Sequence, residues 1–294
     1  MVVMRKSLLV FSLVAILVVP WAAAPAGAEG SAGGAMDQGL SLFYQGNWDG
    51  AVAAFDQVLQ EDPQNTLALA YILDAYYRKR DINGIISQIE QKAVSSGEDP
   101  VMQAHLGMAY FMRGLIMPNV LEEALTEFKQ ALKDDERCAM AYTGMGLVYF
   151  QKRMMPRAKG YFIRALRLNP HDIMALDRLG NIMLVDEKKP EDALQLFQRI
   201  VAELPSYPDG YYFMGSALYD LQRYDEAVPY LQRCVEMDPG GYTQGYDAMN
   251  LLGDTLGKLG RHEEAVKAYE MALKLRPESQ YPRIKIQQLG KQQG

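Results

Sequence analysis

The sequence predicts an all-α protein, a solenoid of about seven helix–turn–helix units. Three observations point to it. A bulky apolar residue recurs at Phe55, Ile89, Phe128, Phe162, Phe197, Leu231 and Tyr269, at steps of 34, 39, 34, 35, 34 and 38 residues. A glycine precedes most of these landmarks, at Gly39, Gly107, Gly146, Gly180, Gly215 and Gly253. Proline then closes most units, at Pro63, Pro170, Pro205, Pro239 and Pro277. Self-similarity at a fixed period of this size is the mark of stacked two-helix repeats, each of which needs its neighbours to cover an apolar face.

Each element has a chemical reason. Glycine fits where the two helices of a unit cross, because a missing side chain lets the backbones approach. An alanine stands four residues before the bulky position in most units (Ala51, Ala124, Ala158, Ala193, Ala227 and Ala265), so both lie on one helical face. The ring or branched chain fills the groove against the next unit. Proline lacks the N–H that a continuing helix needs and biases the preceding residue away from helix. The second unit departs from the pattern, with Leu73, Ile85 and Ile89 in place of smaller residues. The third ends at Glu136 without proline, and the fifth carries one extra residue before Ala193. Residues near Ile116–Val120 lengthen the turn of the third unit, and Gly240–Thr243 extends the connection before the seventh.

These units resemble the tetratricopeptide (TPR) family, over about Met36–Pro277. The fourth unit, with Gly146, Ala158, Phe162, Ala165 and Pro170, is among the cleanest matches. The resemblance implies a right-handed superhelix whose first helices line a concave, ligand-holding face. The inward residues would then be Leu40, Phe43, Tyr77, Met108, Phe111, Leu147 and Phe150 in the first half. In the second half they would be Asp177, Asn181, Tyr212, Ser216, Tyr219, Asn250 and Asp254. That set describes an apolar, aromatic half running into an acidic, amide-rich half, and aromatic anchors carry much of the binding energy at interfaces. The family's version that grips chaperone C-termini needs Lys and Arg beside Asn. Here Asp177 precedes Asn181 and Asp254 follows Asn250, which argues against that ligand.

The ends of the chain read differently. Met1–Lys6 is a short basic start, Ser7–Trp21 is apolar, and Ala22–Ala28 is small. Ala26-Gly27-Ala28 suits signal peptidase, giving a signal peptide over residues 1–28 and a mature start at Glu29. The apolar stretch is short of the roughly 20 residues that span a bilayer. Export to a periplasm or beyond is therefore expected, with an uncleaved inner-membrane anchor as the alternative. Residues 29–35 read as a flexible Gly/Ser lead-in and 278–294 as a capping segment, with Ser279–Leu289 a short helix.

Composition narrows the function. The chain is 49% hydrophobic and 22% charged, with net charge -6. Removing the leader leaves 28 basic against 36 acidic residues, a surface that disfavours nucleic acid and anionic lipid. No later segment is apolar enough to span a membrane. His105, His171 and His262 fall in separate units without metal-ligand spacing, and no catalytic or phosphate-binding motif occurs. Cys138 and Cys234 lie two units apart, too far for a disulfide. The acidic runs at Glu122-Glu123 and Asp134-Asp135-Glu136 lack the alternation of a calcium loop. The reading is a non-catalytic adaptor or scaffold without cofactor or metal, binding other proteins or peptide segments, with envelope assembly, secretion or surface-polymer machinery as the expected setting. The sequence leaves its oligomeric state open. Its rivals are a copper carrier built on methionines such as Met108, Met112, Met154 and Met155, and an unrecognised carboxylate enzyme.

Overall fold

In a computed structural model, residues 31–292 are described, so the leader and its cleavage site lie outside the described residues. Seven helix pairs follow one another: α1 (Ser31–Tyr44) and α2 (Trp48–Glu61), α3 (Thr66–Arg78) and α4 (Ile82–Ser96), α5 (Pro100–Gly114) and α6 (Leu121–Asp134), α7 (Ala139–Gln151) and α8 (Met155–Leu168). They continue with α9 (Ile173–Asn181) and α10 (Pro190–Glu203), α11 (Pro208–Asp220) and α12 (Tyr224–Met237), and α13 (Gly245–Lys258) and α14 (His262–Leu275). Helix α15 (Gln280–Gln292) follows the last pair. No strand occurs among the described residues.

The repeat ruler corresponds to the core. Phe55, Phe128, Phe162, Phe197 and Leu231 are fully buried, and Tyr269 and Ile89 nearly so. In six units the bulky side chain lies directly on the glycine of its partner helix. A Cβ built on Gly39, Gly107, Gly146, Gly180, Gly215 or Gly253 would fall 2.5–2.6 Å from Phe55, Phe128, Phe162, Phe197, Leu231 or Tyr269 respectively. Glycine there is a packing requirement rather than a turn.

The long steps resolve into local devices. The third unit absorbs its insertion in an exposed turn, Leu115–Asn119, running into a 3₁₀ segment at Pro118–Val120. The extra residue of the fifth unit becomes a π-helical turn at Ile182–Asp186, which widens α9 by one residue before α10 begins. The turns between paired helices share a left-handed residue, at Gly46, Arg80, Arg153, Lys188, Gln222 and Gly260. Asn65, Asp99 and Asp172 cap the helices that open the second, third and fifth units by accepting their first N–H groups.

Both ends of the described array are helical. Helix α1 starts at Ser31, so most of the expected lead-in is helical, because Ala35 and Met36 are buried and anchor that turn. At the other end α15 forms with Pro282 in its first turn, and Ile286 and Leu289 pack on the core. In the second unit Leu73 occupies the glycine place and is fully buried, and α3 meets α4 over a much shorter stretch than the helices of any other unit.

That loose crossing has a long-range result. The first two units swing across the inner face of the fourth to sixth, with α3 touching α9 directly. The solenoid closes on itself.

Candidate protein-binding surface

The closure decides where the expected groove residues lie. Phe43 is fully buried, with its ring edge-on to Tyr44, Trp48 and Tyr71 at 5.5, 5.0 and 4.7 Å. Leu40, Met108, Phe111 and Leu147 are buried in the core. Asp177 is fully buried, accepting a 2.9 Å hydrogen bond from the Tyr207 hydroxyl. Asn250 is buried and donates to the Tyr246 carbonyl at 3.0 Å. Asp254 is held by Tyr269 at 2.8 Å, by Lys285 at 2.7 Å and by Tyr281, so the capping helix covers the inner face of the seventh unit. These eight positions do not present side chains to an open groove. Helical register points them inward, and the inward side is occupied by the chain itself. Tyr77 is 50% exposed. Phe150, Asn181, Tyr212, Ser216 and Tyr219 keep partial exposure, with the Arg178 guanidinium 6.0 Å from the Phe150 ring.

The seam is a network of hydroxyls and carboxylates. Tyr44 and Tyr71 hydroxyls lie 2.6 Å apart, and Tyr44 lies 3.2 Å from the Thr243 hydroxyl. Thr243 donates to Asp209 at 2.5 Å. Lower down, Thr143 and Thr66 both donate to Asp172, at 2.6 and 3.4 Å, joining the second, fourth and fifth units. Ser206 donates to Asp37 at 2.5 Å. Burial pushes Asp209 up to about 7, with Asp177 and Asp238 adding repulsion against the lowering effects of Thr243 and Arg178. Burial likewise raises Asp172 and Asp177, and holds Tyr44, Tyr71 and Tyr207 well above the ordinary phenol value.

Two clefts flank this seam. One of about 450 Å³ lies where the turn at Asp62–Thr66 faces the equivalent turn at Asn169–Ile173, with Glu203 and Met36 at its sides. A second, about 330 Å³, lies between Ser41 and Tyr44 on α1 and Glu236 to Pro239 at the end of α12. Sequence reasoning did not find Tyr44, Tyr71, Arg78, Asp172, Tyr207 or Asp209. One signal was available: the extended connection Gly240–Thr243 is the segment that reaches the first unit.

Two of the three histidines have structural partners, and the buried Nδ1 of His262 has no hydrogen-bond partner. His105 lies 2.7 Å from the Pro63 carbonyl and His171 pairs with Glu203 at 3.1 Å. Both cysteines are buried free thiols, raised by desolvation, Cys138 to about 11. Met108 is fully buried, Met112 packs against the core, and Met154 is exposed. Among the described residues no group of three His, Cys, Asp or Glu side chains is placed to hold a metal, and no helix is long and apolar enough to cross a membrane.

An all-helical array of stacked hairpins, six of the seven locked by a bulky side chain against a glycine, defines an α-solenoid of the repeat class. Tetratricopeptide-repeat models match residues 36–100, 121–173 and 209–278, and the chain belongs to the tetratricopeptide repeat family. It is similar to a TPR repeat-containing protein of Methanocaldococcus jannaschii, 22% identical over 82% of this chain and 42% of that protein. It is also similar to the UDP-N-acetylglucosamine–peptide N-acetylglucosaminyltransferase of Giardia intestinalis, 27% identical over 47% of this chain and 9% of that enzyme. The chain thus spans less than half the length of either relative. Among solved structures, MamA of Desulfovibrio magneticus, residues 41 to the end, is 23% identical at a TM-score of 0.51, covering 60% of this chain and 97% of that one. That likeness concerns the fold alone.

Proposed function

We propose that this chain is an exported, non-catalytic adaptor that holds a protein segment against its repeat array within the cell envelope. The TPR fold supports a protein-interaction role, and the array of repeats is the observation that carries the reading. The basic, apolar and small-residue succession over Met1–Ala28 supports the envelope setting. The excess of acid favours partner segments with apolar anchors and some basic residues. Of the inward set, Tyr77, Phe150, Asn181, Tyr212, Ser216 and Tyr219 are the proposed contacts, since these retain surface with the solenoid closed. Service in envelope assembly, secretion or surface-polymer export is the corresponding setting.

The test is photo-crosslinking in the protein's own host, with a photoreactive amino acid at Tyr77 and, as control, at exposed Gly160. A discrete protein adduct from Tyr77 that is missing from Gly160 supports partner contact on the inner side. Adducts from Gly160 alone move the site to the outer face, and none from either overturns the adaptor reading. N-terminal sequencing of the same fractionated protein checks export, for which a start at Glu29 is expected.

A further inference from the structure

The connection Gly240–Thr243 has no counterpart in the other units, and its placement is tightly specified. Asp238, fully buried at the end of α12, accepts the backbone N–H of Tyr242 at 2.8 Å, of Thr243 at 2.9 Å and of Gly245 at 2.8 Å. One carboxylate thus fixes the shape of the whole loop, with Gly241 in the left-handed region. Held this way, the loop reaches residues nearly two hundred positions earlier. The Tyr242 ring lies edge-on to Trp48 at 5.3 Å, and its carbonyl accepts from Arg78 at 2.8 Å. The Arg78 guanidinium lies 5.2, 5.5 and 5.4 Å from the rings of Phe43, Trp48 and Tyr242, and Asp74 accepts from its Nε at 3.0 Å. Thr243 joins Asp209 on α11 to Tyr44 on α1.

We infer that Gly240–Thr243 is a clasp that holds the superhelix shut over its own concave face, and that Tyr44 and Asp209, buried in the closed form, become accessible only when the clasp releases. Three observations make the closure reversible rather than part of the permanent core. Along the stack, neighbouring helices bury continuous apolar surface. Across the seam the hydrogen-bonded contacts are hydroxyl–carboxylate pairs and one arginine, groups that water can satisfy on opening, with the edge-on Trp48–Tyr242 ring contact beside them. The seam is also incompletely filled, with the two clefts beside it. The second unit supplies the hinge, because its α3–α4 crossing lacks the lock of a bulky side chain on glycine found in the other six.

The clasp is a property of the chain alone, so its test contains no partner and stands apart from the adaptor reading. In the full chain with Trp21→Phe, Trp48 is the sole indole and reports on the clasp from within it. Spin labels at Ser41→Cys and Glu236→Cys, on opposite sides of the second cleft, report the seam distance. Cys138 and Cys234 are fully buried and remain unlabelled. Thr243→Val keeps the side-chain shape and deletes the shared hydroxyl, and Thr243 does not pair with Trp48. The expected result is one short distance in the parent chain. The variant adds a long-distance population, a roughly tenfold gain in open molecules from losing one buried hydrogen-bonding group. Acrylamide quenching of Trp48 rises in parallel while the helical circular dichroism is unchanged. A disulfide between Asp37→Cys and Ser206→Cys, in an unlabelled chain, restores parental Trp48 quenching in the variant and releases it on reduction. A long distance already dominant in the parent overturns the inference, as does a variant with parental distance and quenching. If Thr243→Val loses its helical signal, the disulfide in the otherwise parental chain decides. Suppression of the residual Trp48 quenching on oxidation upholds the clasp, and indifference to redox state overturns it.

Discussion

At Gly144 a single added methyl group sets two effects against each other. Gly144 lies on α7 and faces Phe128 of the preceding unit, whose ring is fully buried. A Cβ at Gly144 would fall 2.1 Å from Cζ of that ring, and the ring cannot retreat because a Cβ site on Gly107 already lies 2.6 Å from its Cε1. Two glycines therefore grip one phenyl group and set the distance between the third and fourth units. Gly144→Ala gains helix propensity of about 1 kcal/mol. Against this, overpacking a core of this kind costs about 1–3 kcal/mol, and the depth of this overlap places it in the upper part of that range. The expected net is a loss of about 1–2 kcal/mol. The control makes the same chemical change at Gly160 on α8, where nothing lies within 4 Å of the added methyl. Gly160→Ala is expected to stabilise by about 1 kcal/mol through propensity alone. Urea titration followed by circular dichroism reads both, with the slope required to stay at the parental value. Equal stabilisation by the two variants would refute the claim that glycine sets the inter-unit spacing.

Three further outcomes follow from the structure. Asp209 has its folded value raised from 3.8 to about 7, so the closed form binds the extra proton and its advantage is present at mildly acidic pH and lost as pH rises through about 7. That interval corresponds to at most about 4 kcal/mol. Asp177 and Asp172 shift in the same direction, and the groups facing Asp209 are Thr243, Asp177, Arg178, Asp238, Tyr44, Tyr71 and Tyr207. Seam distance and stability measured from pH 5 to 8 are expected to show opening toward the alkaline end, with a shallower slope in Asp209→Asn; a flat parental profile counts against it. Leu73→Ala brings the second unit closer to the small residue found elsewhere, yet Leu73 is fully buried and the change is expected to cost about 2–5 kcal/mol by thermal or urea unfolding. Asp254→Ala removes the acceptor shared by Tyr269, Tyr281 and Lys285, and hydrogen exchange is expected to quicken selectively along α15.

The nearest-neighbour architecture was legible in the residues because it rests on volume at fixed spacing. The ring and the glycine of each unit were legible as close-packed positions, but the spacing directed the ring toward the next unit, whereas Phe162 lies on Gly146 and Phe197 on Gly180 within their own units. The irregular steps were legible as lengths but not as structures. Nothing in the spacing says whether an extra residue becomes a π turn, as at Ile182–Asp186, or an exposed loop, as at Leu115–Asn119. The inner face was legible only as a direction. Phe43 and Asp177 do point inward, but the pattern of an inward residue is the same whether it meets solvent, a ligand or another part of the chain. What lies opposite depends on small rotations accumulated over several units, and on a second unit whose crossing the glycine rule does not govern.

The chemistry of the seam bears on why a solenoid should bury so many carboxylates. Asp172, Asp177, Asp209 and Asp238 are all buried; their hydrogen-bond partners are Thr66, Thr143, Thr243, Tyr207 and backbone N–H groups, with the Arg178 guanidinium the cation acting on Asp177 and Asp209. Desolvation without a matching set of cations is a poor way to maximise stability, and raised carboxyl values are its direct expression. Apolar side chains at these places would bind the two faces more firmly and would leave a sticky surface on opening. A face of hydroxyls and acids behaves in the opposite way. It closes with modest advantage, and once open it exchanges each internal hydrogen bond for one to water. The uncharged form of Asp209 favours closure, and ionisation near neutral pH favours release. The repeats themselves are locked by rings on glycines and carry no such titration, so the array keeps its form while the seam adjusts. Stack and seam are thus built from different chemistry: the stack is held by apolar volume packed on glycines, and the seam mainly by hydroxyls and carboxylates that water can satisfy.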